Sequence, residues 1–315
     1  MPRELDHALR AQPASRFDDS LALNERGDTG RRLTDLGAGR LAHMDQQGVD
    51  LQVLAVTPPG AQGLDAANAV PLSRDANDRA ADLIAAHPAR FRAMATLPLA
   101  QPAAAAAELQ RTAGLGLVGA MVYGRTGDLP LDDPAFDDLW HVAEQLQQPI
   151  FIHPQIPPRP VRTASYTGLG DPADLALATF AWGWHIEAGT AALRLMARGT
   201  LDRHPSLQLI LGHWGELLLF WHDRADSLAR IAGLDRTITD YLHDNVWITA
   251  SGMLDPAMLQ HALTVTTPDR LLFSTDYPFQ MPTRNDIRQF LEAFPDDPAR
   301  AAFTSGNARE LFRID

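Results

Sequence analysis

The chain contains no cysteine, which excludes disulfides, thiolate catalysis and sulfur-ligated metal. Any metal would have to be held by imidazole and carboxylate. Lysine is absent too: all 27 basic residues are arginine, so a carbamylated lysine bridging two metal ions is excluded. No apolar run approaches the roughly 20 residues that span a bilayer, and the opening MPRELDHALRAQ lacks the apolar core of a secretion signal. A soluble, cytoplasmic protein with no membrane partner is expected. Positive charge is scarce and dispersed, and the net charge of -12 repels phosphate backbones, so nucleic acid is not an expected partner.

What is present points to one large, well-buried α/β unit. The 315 residues show no break in composition, and residues 1–315 are read as a single domain with an irregular segment at 1–29. Short runs rich in Val, Ile and Leu predict strands at 51–57, 91–97, 117–123, 149–153, 207–212, 245–250 and 270–275. Helical patterns fall near 30–47, 65–86, 102–113, 132–147, 187–200, 215–232, 255–266 and 284–295. The alternation suits an open doubly wound sheet or a TIM-type (β/α)8 barrel, and the number of units over this length favours the barrel. A barrel needs eight strands, however, and residues 1–29 offer no apolar run of strand length. The first strand is therefore expected to be missing or irregular, with the chain beginning downstream of it and the barrel left open or completed by something else.

In a parallel barrel the chemistry gathers where the strands end, because the βα loops surround a shared cavity there. The predicted strand ends carry His153, His213 with Glu216, Ser251, and Asp276. A lone His or Asp at such a place often just caps a helix. Two His and one Asp on three strands form an N/O donor set suited to a divalent ion. Glu216, three residues beyond His213, is expected on the same side of the opening helical turn, where it could orient the imidazole or move a proton. A long Pro- and Gly-rich loop at 154–174 leads to Trp184 and His185, a possible wall for a flat substrate. Tyr123 and Arg125 follow the third predicted strand, and Arg224 could reach back to a substrate carboxylate. The histidines at 43, 87, 141, 204, 222, 243 and 261 fall within or beside helices and are read as structural.

With those residues in view, ILGHWGE (210–216), FSTDYPF (273–279), FIHP (151–154), GWHIE (183–187) and SGNARELF (305–312) resemble the amidohydrolase-2 group, which includes decarboxylases of hydroxylated aromatic acids. The resemblance runs from about Arg40 to the C-terminus. It implies a metal-dependent, non-oxidative decarboxylase (a carboxy-lyase) acting on a small carboxylic acid, with Zn or Mn held by His153, His213 and Asp276. Asp276 would also be the proton donor, with Glu216 hydrogen-bonded nearby and Tyr123, Arg125, Trp184, His185, Arg224 and Ser251 around the substrate. A homo-oligomer, dimer or tetramer, is implied as well. The family's first strand supplies a Glu-x-His or His-x-His pair that this chain lacks. The nearest segment is Glu4-Leu5-Asp6-His7. A hydrolase of a lactone or amide on the same scaffold, and a metal-free barrel that only binds a small acid, are the alternatives.

Overall fold

The computed structural model describes residues 2–13 and 16–314. Seven parallel strands line up in chain order. They are β1 (Gln52–Leu54), β2 (Phe91–Ala93, continued by Ala95–Thr96), β3 (Ala120–Tyr123), β4 (Ile150–His153), β5 (Leu209–Leu211), β6 (Val246–Thr249) and β7 (Leu271–Leu272). Every predicted strand is therefore present, and the pairing is in register: Ile150 lies opposite Ala120 on one side and Leu209 on the other. The two parts of β2 meet at Met94, whose N–H donates to the Leu54 carbonyl. The central strands β5 and β6 are buried along their whole length, as a sheet covered by helices requires.

No strand among the described residues lies between β1 and β7, so the predicted shortage of a first strand is real in the fold. The outer edge of β7 is instead covered by the C-terminal segment. Asn307 Nδ2 donates to the Leu271 carbonyl at 2.7 Å, and the Phe273 N–H donates to the Phe303 carbonyl at 3.1 Å. Helix Ala38–Gln47 packs outside the gap against helix Arg284–Leu291. Inside, Met94, Ile210, Trp247 and Leu272 pack with Leu311 of the last helix, Asn307–Phe312, which closes the floor.

The termini and loops depart from expectation in places. Residues 3–10 form a helix whose Leu5 and Leu9 are buried against Leu21, Ala61 and Leu64. His7 lies on its exposed side and cannot stand in for a strand-borne ligand. The predicted helix at 30–47 is two helices, Thr29–Thr34 and Ala38–Gln47. The long loop after β4 holds two more, Arg159–Ser165 and Asp171–Ala178, each with proline in its first turn, where the missing N–H costs nothing. No helix among the described residues is long and apolar enough to cross a membrane.

Candidate active site

The strand ends open into a cavity of about 1440 Å³ whose lining includes His153, Trp184, His185, His213, Ser251 and Asp276. His153 closes β4 opposite Tyr123. Its Nδ1–H donates to the Pro154 carbonyl at 2.8 Å, and Nε2 has no hydrogen-bond partner among the described residues. Burial, with the His213 ring nearby, pushes its pKa down to about 4. At neutral pH His153 is thus an uncharged imidazole with a free lone pair, the form that ligates metal.

His213 is held in a different way. Residues His213, Trp214, Gly215, Glu216 and Leu217 all have positive φ, from 47° to 83°. The turn expected to open a right-handed helix is left-handed, and the regular helix begins at Leu218. Left-handed backbone costs non-glycine residues roughly 1–2 kcal/mol each, and such strain persists where the surroundings over-determine it. Here Trp214 is fully buried and donates to the Met253 carbonyl, and the His213 N–H donates to Ser251 Oγ at 3.0 Å. The Ser251 N–H in turn donates to Ser274 Oγ at 2.8 Å, so β6 and β7 together fix the turn.

That turn swings Glu216 inward, where its carboxylate is fully buried between two histidines. His213 Nδ1 lies 2.7 Å from Oε1, and His185 Nδ1 lies 2.7 Å from Oε2. Burial alone would raise the Glu216 pKa, but the two imidazoles bring it down to about 2. It is therefore an anion, and both facing nitrogens must be N–H donors. Burial is the largest influence on His213 and opposes its protonation, yet the charge and hydrogen bond of Glu216 together with the charge of Asp276 outweigh it and raise the His213 pKa. Helix Gly183–Ala197, which carries His185, can come this close because residue 189 has no side chain: a Cβ there would lie 2.7 Å from the Glu216 carbonyl.

The ligand atoms of His185, His213 and Glu216 lie within 4.8 Å of one another, but both carboxylate oxygens are already occupied by ring N–H groups. This trio orients histidines and does not itself cage an ion. His185 Nε2 is also engaged: with the ring proton on Nδ1 toward Glu216, it accepts from the Trp184 indole N–H at 3.1 Å. His213 Nε2, by contrast, is unpartnered among the described residues, as is His153 Nε2, and the two rings are 6.1 Å apart. Asp276, at φ 56° beyond β7, makes no side-chain hydrogen bond. Burial pushes its pKa up to about 6, against the pull of the two histidines. Two imidazole nitrogens and this carboxylate are the donors that remain, and N and O are the donor types a divalent ion of the zinc or manganese kind accepts.

Three expected substrate contacts are not brought to the cavity. Tyr123 is fully buried, and its hydroxyl donates to the Val56 carbonyl at 2.7 Å, pinning the loop after β1. Arg125 is paired with Glu187 at 2.8 Å and the Ile156 carbonyl at 2.7 Å. Arg224 lies exposed on helix Leu218–Ile231. Trp184 and Ser251 do line the cavity. One cavity residue had no signal in the sequence. Arg40, 5% exposed, donates only to the Asp35 and Arg32 carbonyls and to Gln52 Oε1, and stacks 4.7 Å from Tyr277. It has no carboxylate within ion-pair distance among the described residues.

Against this geometry, the sequence model of the amidohydrolase family matches residues 13–314. The chain belongs to the amidohydrolase family. Among curated relatives, the gamma-resorcylate decarboxylase of Rhizobium sp. is 36% identical over 303 residues, which cover 90% of this chain and 89% of that protein. Among solved structures, 5-carboxyvanillate decarboxylase from Sphingomonas paucimobilis superposes with a TM-score of 0.89 at 33% identity, covering 100% of this chain and 97% of its own. Dihydroxybenzoic acid decarboxylase from Polaromonas sp., solved with bound manganese and the inhibitor 2-nitroresorcinol, gives 0.83 at 31% identity over 96% and 94% of the two chains. The family likeness and the parallel sheet read from the sequence both stand.

Proposed function

We propose that the chain is a metal-dependent, non-oxidative decarboxylase of a small hydroxylated aromatic acid. The observation that carries this reading is the set of three donors left free at the cavity: His153 Nε2, His213 Nε2 and the Asp276 carboxylate. They would hold the ion, and manganese is the first to try, since the Polaromonas relative binds it. When bound, such an ion supplies positive charge and orientation for the substrate's carboxylate and adjacent hydroxyl.

The protein's own groups do the rest. Trp184 forms one wall for a flat ring, its indole N–H tied to His185. Glu216 keeps His213 turned toward the cavity. Asp276 is the candidate proton donor, placed to pass a proton to the ring carbon that bears the carboxylate. The bond to CO2 then breaks, its electron pair returns to the ring, and CO2 leaves. Arg40, a buried cation stacked on the neighbour of Asp276, favours an anionic substrate. The reading takes the working form to be a homo-oligomer.

Hydrolysis of a lactone or amide is the competing chemistry, and product analysis separates the two. In D2O the decarboxylase reading expects CO2 together with a phenol carrying one deuterium at the vacated carbon. A product that has gained the elements of water, with no CO2, would overturn it.

A further inference from the structure

A second histidine–carboxylate cluster lies at the opposite end of the barrel. Helix Asp137–Leu146 leads into β4 and presents His141 and Glu144 three residues apart on one face. His204 ends the short helix Thr200–Arg203, five residues before β5. One ligand atom from each of the three lies within 4.8 Å of the others. We propose that His141, Glu144 and His204 form a second metal site, specific for a divalent transition ion of the zinc type, on the outer surface beneath β4 and β5.

The wiring of His204 supports this. The residue is only 5% exposed, and its Nδ1 is buried without a hydrogen-bond partner. That nitrogen faces Glu144 Oε2 at 3.4 Å, while Nε2 faces Asp137 Oδ1, also at 3.4 Å. Carboxylates cannot donate, so a neutral imidazole must leave one of its nitrogens directed, lone pair first, at a carboxylate oxygen. With the proton on Nε2 toward Asp137, the Nδ1 lone pair and Glu144 Oε2 become two acceptors with a cation's place between them. This is the carboxylate–histidine–metal arrangement, with Asp137 as the outer partner. Glu144 is aimed as well: its Oε1 accepts from the Ser206 N–H at 2.7 Å, leaving Oε2 for the ion. His141 is exposed and supplies the third donor, and water completes the shell. An ion there would tie the helix before β4 to the turn before β5.

The competing arrangement is a protonated His204 bridging Asp137 and Glu144, which gives His141 no role and predicts no metal. The two are told apart in the full chain carrying His153→Ala, so that the mouth of the barrel does not contribute. After stripping with chelator, the protein is equilibrated with Zn2+, passed over a desalting column and its metal counted by mass spectrometry. One zinc per chain is expected, with a zinc-dependent rise in melting temperature. Adding either His141→Ala, an exposed position that should not disturb folding, or Glu144→Gln should remove both the zinc and the rise. Zinc content and melting temperature that are indifferent to His141 and Glu144 would overturn the proposal.

Discussion

His213 and Glu216 stand three residues apart, as do His141 and Glu144, yet the two pairs are connected differently. In the first, a left-handed turn folds the carboxylate back onto its own histidine, and both oxygens accept ring N–H groups at 2.7 Å. In the second, a regular helix sets the side chains side by side, and Glu144 faces a histidine nitrogen at 3.4 Å that finds no partner. One carboxylate is used up as an acceptor and orients a histidine, while the other keeps an oxygen free. Spacing in the sequence was the same, so backbone conformation decides whether the pair supports a site or is one.

The comparison breaks most sharply at Asp276, which has no counterpart in the outer cluster. Asp276→Asn removes both the candidate proton donor and one of the three free donors. CO2 release should fall by about 10³-fold or more, given that a positioned acid alone contributes 10²–10⁴. A rate within tenfold of wild type would assign the proton to another group.

Glu216→Gln comes next. It removes the anion that holds two N–H donors, and losing such an outer partner typically costs 10–100-fold in metal affinity or activity. The dependence of rate on Mn2+ concentration should shift to higher metal by about that factor. If Glu216 served folding alone, the melting temperature would fall while the metal dependence stayed in place.

The smallest effect concerns pH. His153 titrates near 4 in the folded protein, below the ordinary histidine value near 6.5. Between those values the unfolded chain binds a proton that the folded chain refuses, so stability is lost as pH falls from about 6.5 toward 4. In metal-free protein, His153→Gln should flatten that part of the melting-temperature profile by a few degrees, at roughly 2–4 °C per kcal/mol. An unchanged slope would mean that His153 is not the group titrating there.

The strands were legible because runs such as LQLILG and PIFIH are apolar on both faces, and their ends placed His153, Ser251 and Asp276 correctly. The gap between β1 and β7 was legible as well, as the lack of any apolar run in residues 1–29. The turn at 213–217 was not: Gly215 is its one permissive residue, and four others are driven to positive φ by contacts distant in sequence. Nor could spacing reveal that His185 shares Glu216 across 31 positions, or that Arg40 is buried without a counter-ion. The two helices after β4 were hidden because their prolines resemble loop residues until they are seen at the first turn.

On the proposed reading, His153, His213 and Asp276 hold an ion that makes this cavity a decarboxylase despite the gap beside β1. The most direct test of that reading is CO2 release from 2,6-dihydroxybenzoate and related hydroxybenzoates by protein first stripped with chelator and then reloaded with Mn2+. The account predicts release that vanishes on stripping and returns on reloading, with His153→Ala failing to recover. Mn2+ bound at the mouth with no CO2 from any of these acids, or release that survives stripping, would contradict it.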